Sequence, residues 1–288
     1  MASEAEAPAW ADRCDRNLAE TLWQYVRHVP GAVRDDRPDA TFVRCDLPSP
    51  EANLLLLPRP DAGSVDRLRE APAFFGPDRP WRVTLRGVVP PGFAAMAGAL
   101  RMRPGPDEPG LWLPTIPAEG TEAPGLTIRP VDDAAMLRAF GIAWCGAFGV
   151  PSWVRPVALP RVPPDDPARG ARSRFFVGLF EGRPVACATV TVTEGVAGIA
   201  SVGTVRRFRG RRIGTALTAH AAAWGRSQGA EVAHLTATPM GRPVYERMGF
   251  RRMAEYPSWT ARLGFLRSVR AVLALRRAAR ALSRDAAA

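Results

Sequence analysis

The stretch RGRRIGTAL, residues 209 to 217, gathers Arg209, Arg211, Arg212 and the two glycines Gly210 and Gly214 just ahead of a helix-like run. The first turn of a helix holds backbone N–H groups without intrahelical acceptors, at the positive end of the helix dipole. Gly210 and Gly214 have no Cβ, so a ligand can come close to that backbone. The three guanidinium groups add charge-assisted donors for phosphate oxygens. These residue types describe a seat for a phosphate-bearing ligand. A solvated Arg-rich corner uses the same residues, and the flanking elements must distinguish the two.

Upstream, Phe175–Phe180 (FFVGLF), the turn EGRP and Val185–Thr193 read as a hairpin. In its second arm Thr189, Thr191 and Thr193 alternate with Val190 and Val192, the period of a strand with unlike faces. A third strand, Ile199–Val205, leads into the turn. Downstream, Ile213, Leu217, Ala221 and Trp224 share a helix face that Gly229 ends. Glu231–Thr236 reads as a strand, and Pro243 opens a short helix ending at Gly249. Before the hairpin come a strand at Leu126, a helix over Asp132–Phe148 and a Pro-rich loop over Pro151–Gly170, long enough to cover a substrate.

This order of elements, with VGTVRRFRGRRIGTAL and then PVYERMGF, resembles the GNAT superfamily of N-acetyltransferases over about Leu126 to Trp259. In the family's turn, Arg or Gln is followed by two residues, Gly, one residue, and Gly or Ala. Arg209 takes the first place and Gly214 the last. Arg212 replaces the family's first Gly, and Arg206 stands where many members have Pro. A left-handed Arg212 costs roughly 1–2 kcal/mol.

The resemblance implies acetyl-coenzyme A as acyl donor and a small-molecule amine as the acceptor that attacks it directly. It implies that Arg209, Gly210, Arg211, Arg212, Ile213, Gly214 and Thr215 hold the pyrophosphate. Val202, Gly203 and Thr204 then lie along the pantetheine arm, one of their amides polarising the thioester carbonyl. Tyr245 matches the family tyrosine that protonates, or hydrogen-bonds to, the departing thiolate, a role that suits a phenol. No general base is written in the sequence. Glu194, at the end of the Thr/Val strand, is the candidate carboxylate, with a solvated turn residue as the alternative. His220 and His234 read as structural.

The implied fold is α/β (α+β): a mixed, mainly antiparallel sheet flanked by helices, GNAT-like, with a smaller degenerate GNAT-like half at the N-terminus. That half carries helix patterns at Asn17–His28, Val65–Phe75 and Phe93–Arg101, and strand patterns at Ala40–Cys45, Asn53–Leu57 and Trp81–Arg86. It lacks an Arg/Gly turn, so no second active site is expected there. The division expected is 1–114 for the degenerate half, 115–125 (TIPAEGTEAPG) for a linker, 126–260 for the acetyltransferase domain and 261–288 for a basic helix or tail.

Composition sets the limits. The 288 residues suffice for two units, and 47% hydrophobic content supports proper cores. Positive residues outnumber negative ones 39 to 28, yet every one is Arg and none is Lys, which points to coding bias and a solvated excess. No nucleic-acid partner is expected. Cys14, Cys45, Cys145 and Cys187 form no C-x-x-C pair, so neither zinc nor a disulfide framework is indicated. The acidic start MASEAEAPAW lacks a signal-like apolar run, and no stretch has membrane-spanning length; a cytoplasmic protein is expected. The tail, Leu263–Arg284, sets Leu266, Val269, Leu273 and Leu282 among six Arg, with overlapping sectors. Two other readings stay open: an acyl-coenzyme A sensor without catalysis, and a basic nucleic-acid or membrane-surface adaptor working through the tail.

Overall fold

Strand pairing does not follow chain order in the computed structural model, which describes residues 7–106, 108–159 and 172–285. The first half runs α1 (Ala7–Val26), β1 (Val33–Asp36), β2 (Thr41–Arg44), β3 (Leu54–Leu57), α2 (Ser64–Phe75), β4 (Trp81–Leu85), α3 (Phe93–Ala99), β5 (Arg103–Pro104) and β6 (Gly110–Leu113). The second runs β7 (Leu126–Pro130), α4 (Ala134–Phe148), α5 (Arg155–Ala158), β8 (Arg172–Phe180), β9 (Arg183–Thr193), β10 (Val196–Thr204) and α6 (Ile213–Ser227). It continues with β11 (Val232–Thr236), α7 (Arg242–Arg247), β12 (Arg251–Ala254), β13 (Ser258–Ala261) and α8 (Phe265–Asp285).

One sheet has the order β1-β2-β3-β4-β13-β5 and the other β12-β6-β11-β10-β9-β8-β7. Each contains an antiparallel run, β1-β2-β3 or β8-β9-β10, followed by a parallel neighbour reached through a helix, α2 or α6. Each then takes in a strand from the other half. β6 lies between β11 and β12, and β13 lies between β4 and β5. The expected mixed, mainly antiparallel architecture in two parts is what the chain adopts. Its two sheets, however, are completed reciprocally across the 115–125 segment. That segment has no regular element, and Ile116 and Ala123 within it are buried. Arg226 on α6 donates to the Ile116 carbonyl at 2.8 Å, tying the segment down.

Alternation along β9 explains the layers. Ala186, Ala188, Val190 and Val192 pack with Ile213, Leu217, Ala221 and Ala222 of α6. The opposite face carries Cys187, Thr189 and Thr191, and there Phe140 and Ala143 of α4 cover Phe175, Val177 and Cys187. α1 shares that side. Its buried Asn17 donates to the carbonyls of Thr191 and Val196 at 3.0 and 3.1 Å. On its other flank α1 packs Ala19, Leu18 and Leu22 against Leu54 and Leu56 of β3. One helix thus serves both sheets. β3 is buried along all four leucines because α2 and α3 cover its second face.

The halves are also joined through charge. Tyr256, between β12 and β13, donates its hydroxyl to Asp15 of α1 at 2.6 Å, and Arg86 Nε lies 2.6 Å from the other carboxylate oxygen. Asp15 and Tyr256 are both buried. Burial pushes the Asp15 carboxyl up to about 7, against the opposing pull of Tyr256 and Arg86. An unfolded Asp titrates near 4, so the folded protein holds this proton more tightly. The resulting stabilisation is complete below about pH 4 and is lost as pH rises through about 7. The melting temperature is therefore expected to fall between about pH 5 and 8, and Asp15→Asn to flatten that fall. Tyr256→Phe should cost about 1–3 kcal/mol in urea unfolding, the cost of leaving a buried acceptor short of its donor.

Candidate functional site

β10 and β11 pair in parallel only at Val196–Gly198 against Val232–His234. Beyond Gly198 the strands part, because β11 continues along β6 on its other edge. One edge of Ile199–Thr204 is left without a strand partner. A bulge between Ala200 and Gly203, with Ser201 at φ 52°, turns the end of β10 away from the regular ladder. Gly203 permits this because the C-terminal end of α4 leans on it. A Cβ there would meet the Ala147 methyl at 2.7 Å and the Phe148 ring at 2.8 Å. Val205 donates its N–H to Val185 of β9 at 2.8 Å. Alternation along the strand then turns the Thr204 N–H toward the open edge.

The turn lies at the end of this gap. A short 3-10 turn, Arg206–Phe208, carries the chain out of β10, and α6 begins at Ile213. Gly210 at φ 78° and Arg212 at φ 60°, ψ 7° are both left-handed. The strained Arg212 expected from the sequence is thus present. It aims successive N–H groups outward. From Gly210 to Thr215 none has an acceptor among the described residues, and the first helical bond nearby runs from Ala216 to the Arg212 carbonyl at 2.9 Å. Residues 209–212 are exposed, Ile213 is buried in the core beneath, and Gly214 and Thr215 are half-buried. A row of outward amides at a dipole's positive end is the arrangement that binds phosphate.

The guanidinium groups divide their work. Arg209 folds back, Nε donating to the Thr204 carbonyl at 3.0 Å, with Nη1 3.5 Å from Met240 Sδ ahead of α7. It bridges the end of β10 to the far bank of the gap. Arg211 lies over the Phe180 and Phe208 rings at 5.1 and 5.8 Å, and Arg207 over Phe208 at 5.0 Å. These stacked cations stand at the rim of the amide row, free to meet a second anionic group.

On the far bank, α7 sets Tyr245 against the same helix. Its hydroxyl lies beside the Thr218 hydroxyl, which donates to the Gly214 carbonyl at 2.9 Å. The ring packs on Phe250 with centroids 5.9 Å apart. Burial pushes the phenol up to about 12, with the Thr218 bond opposing, so the hydroxyl keeps its proton throughout the neutral range. Such a phenol is a hydrogen-bond donor to a developing thiolate rather than an acid that surrenders its proton outright.

Val202, Gly203, Thr204, the turn from Arg209 to Thr215 and Tyr245 are therefore brought together around one gap. Glu194 is not. It sits in the β9–β10 hairpin at the opposite end of β10, a nine-residue strand, roughly 30 Å away at about 3.3 Å per residue. Its carboxylate receives Arg16 of α1 at 2.6 to 2.9 Å. The general-base assignment fails because strand direction carries this residue away from the turn and an ion pair between the halves occupies it. His220 stacks edge-on to Phe176 at 4.8 Å, and His234 is wholly buried, its pKa pushed down to about 4. Among the described residues no cluster of His, Cys, Asp or Glu suits a metal ion, and all four cysteines are free thiols. The Pro151–Gly170 loop is described only through Leu159; its remainder lies outside the described residues.

Some neighbours of the gap left no sequence signal. Thr218 was one more small residue on a helix, and Phe148 and Ala147 reach Gly203 only through the angle of α4. Tyr25 of α1, in an aromatic nest with Phe175, turns a buried hydroxyl toward Ser201 at the bulge. It therefore brings the first half up to the wall of the second half's gap.

Residues 148–250 match the acetyltransferase (GNAT) family. The resemblance carried by the turn and by YERMGF is borne out over that stretch. A GCN5-related N-acetyltransferase from Kribbella flavida is 21% identical, with a TM-score of 0.60 over 88% of this chain and 97% of that one. A GCN5-related N-acetyltransferase-like protein from Streptococcus suis is 14% identical, with a TM-score of 0.51 over 89% and 99%. A tandem GNAT protein from the clavulanic acid biosynthesis pathway, 16% identical, gives 0.50 over 91% and 96%. These likenesses are of fold, and they extend over both halves. Among curated proteins no match was found.

Replacing Arg212 by Gly removes a left-handed penalty of about 1–2 kcal/mol and adds about 0.5–1 kcal/mol of unfolded-state freedom. Arg212→Gly should therefore raise the urea unfolding free energy by about 0.5–1 kcal/mol. A lowered value would mean that the Arg212 side chain itself holds the turn.

Proposed function

We propose that the protein is an N-acetyltransferase that passes an acetyl group from acetyl-coenzyme A directly to an amine, without a covalent enzyme intermediate. The observation that carries this reading is the run of acceptor-free N–H groups from Gly210 to Thr215 at the end of the gap between β10 and β11. A diphosphate accepts from those amides, while Arg207 and Arg211 meet further phosphate charge at the rim. The pantetheine arm extends along the free edge of Ile199–Thr204 as an added strand would, toward the bulge. There an amide among Val202, Gly203 and Thr204 supports the thioester oxygen as the carbonyl becomes tetrahedral. The amine's nitrogen attacks the carbonyl carbon, the C–S bond breaks, and the sulfur takes the electron pair. Tyr245 steadies the thiolate by donating its hydroxyl. The amine's proton leaves to solvent.

The first test is thermal unfolding with acetyl-coenzyme A. At about 100 times its dissociation constant the ligand should stabilise the fold by about 2.7 kcal/mol; no shift at millimolar ligand would sink the cofactor assignment. The second is turnover across a panel of primary amines, followed by thiol release. Tyr245→Phe should lower kcat about 100-fold, the low end for a positioned proton donor, with KM for acetyl-coenzyme A little changed. Stabilisation by ligand with no turnover of any amine, and no effect of Tyr245→Phe, would favour acyl-coenzyme A binding without transfer.

A further inference from the structure

Half of the exposed large hydrophobic side chains among the described residues lie on one short stretch of α8: Phe265, Leu266, Val269, Val272 and Leu273. At about 100° per residue they occupy an arc of about 120°. The helix is already docked by another face. Leu275 and Ala279 are buried, and with Ala278 and Leu282 they pack against Trp153, Val157, Ala158 and Val26. Arg276 covers the Trp153 ring at 5.0 Å, and Arg267 donates to the Pro77 carbonyl at 2.9 Å. Packing within the protein therefore uses one side of α8 and leaves its apolar stripe facing outward. Phe265 and Leu266, at 81% and 72% exposure, are among the most exposed apolar side chains described.

The charge beside that stripe has one sign. Arg270, Arg277 and Arg280 are exposed and have no carboxylate partner among the described residues. From Leu263 to Arg284 the sequence contains no Asp or Glu. A contiguous apolar face rimmed by cations marks an interaction surface. A second copy of this chain is a poor occupant, because pairing two such faces sets these arginines against one another. A nucleic acid would leave the phenyl and leucyl groups at the centre of the contact without a purpose. The stripe is the convex ridge of a single helix.

We propose that α8 docks this face on an anionic lipid surface, its apolar side chains entering the headgroup boundary and Arg270, Arg277 and Arg280 meeting lipid phosphates. The protein lies on such a surface rather than through it, since no helix among the described residues is long and apolar enough to cross a membrane. This inference is independent of the acyl-transfer reading.

The test is co-sedimentation of the full chain with vesicles of phosphatidylcholine alone, or of three parts phosphatidylcholine to one part phosphatidylglycerol. Binding to the anionic vesicles is expected to be at least about tenfold stronger, and most of that preference should be lost on going from about 50 mM to about 0.5 M salt. Leu266→Glu and the double change Arg270→Ser with Arg277→Ser should each abolish it without moving the melting temperature, since all three side chains are exposed. Absence of binding, equal binding to neutral vesicles, or binding unchanged in Leu266→Glu would overturn the proposal. So would a concentration-dependent dimer that Leu266→Glu dissociates.

Discussion

Three residue pairs hold β10 to β11, and then hydrogen bonding between them stops. Everything chemical about this chain depends on that interruption. A sheet leaves few backbone groups unpaired in its interior, because a buried orphan is costly. Here the open edge is made by letting β11 follow β6 while a bulge bends β10 the other way. The first half shows the same connectivity with the opening closed. β3 and β4 stay paired from Leu54–Arg82 through Leu57–Leu85. The start of α2 is used up internally, with the Ser64 hydroxyl accepting from Asp61 N–H, and with Asp66 and Arg67 N–H both bonded to the Gly63 carbonyl. One topology thus appears twice, once as a cleft and once as scaffold. The difference lies in a few hydrogen bonds.

The scaffold half is not a passenger. α1 carries Asn17 into the hairpin of the second sheet, Asp15 into the contact with Tyr256, and Tyr25 to the wall of the gap. The Asn17 and Asp15 contacts occur where α1 crosses from one sheet to the other, and each would be costly to leave unmade once buried. Leucines on the opposite flank of α1 grip β3. One helix with two faces thus ties the halves together and reaches the wall of the gap at the bulge.

Much of this was legible because local chemistry decided it. The Thr/Val alternation of β9 reports a strand with an apolar face under α6 and a polar face toward α1, as found. The glycines and arginines of the turn, and Pro243 in the first turn of α7, announce their own backbone geometry. What was missed depends on distant partners. β6 is four residues, Gly110–Leu113, flanked by prolines, and becomes a strand only because β11 and β12 flank it. β12 and β13 are as short, β5 is shorter still, and all three depend on a neighbour from elsewhere in the chain. Glu194 shows the same limit at the site. Its residue type suited a base, but strand direction, which type does not encode, put it at the wrong end. The tail's overlapping sectors resolve once α8 is seen to need two apolar faces, one turned inward and one outward.

The reciprocal strand exchange bears on how the chain is made. During synthesis, β5 emerges long before its only sheet neighbour, β13, and β4 presents an unpaired edge for the same interval. Nearly all of the second half must leave the ribosome before the first sheet can close. An exposed edge of this kind invites pairing with another nascent chain. The Arg82 side chain on β4 and the shortness of β5, with Pro104 in it, are the features that keep that edge unattractive while it waits.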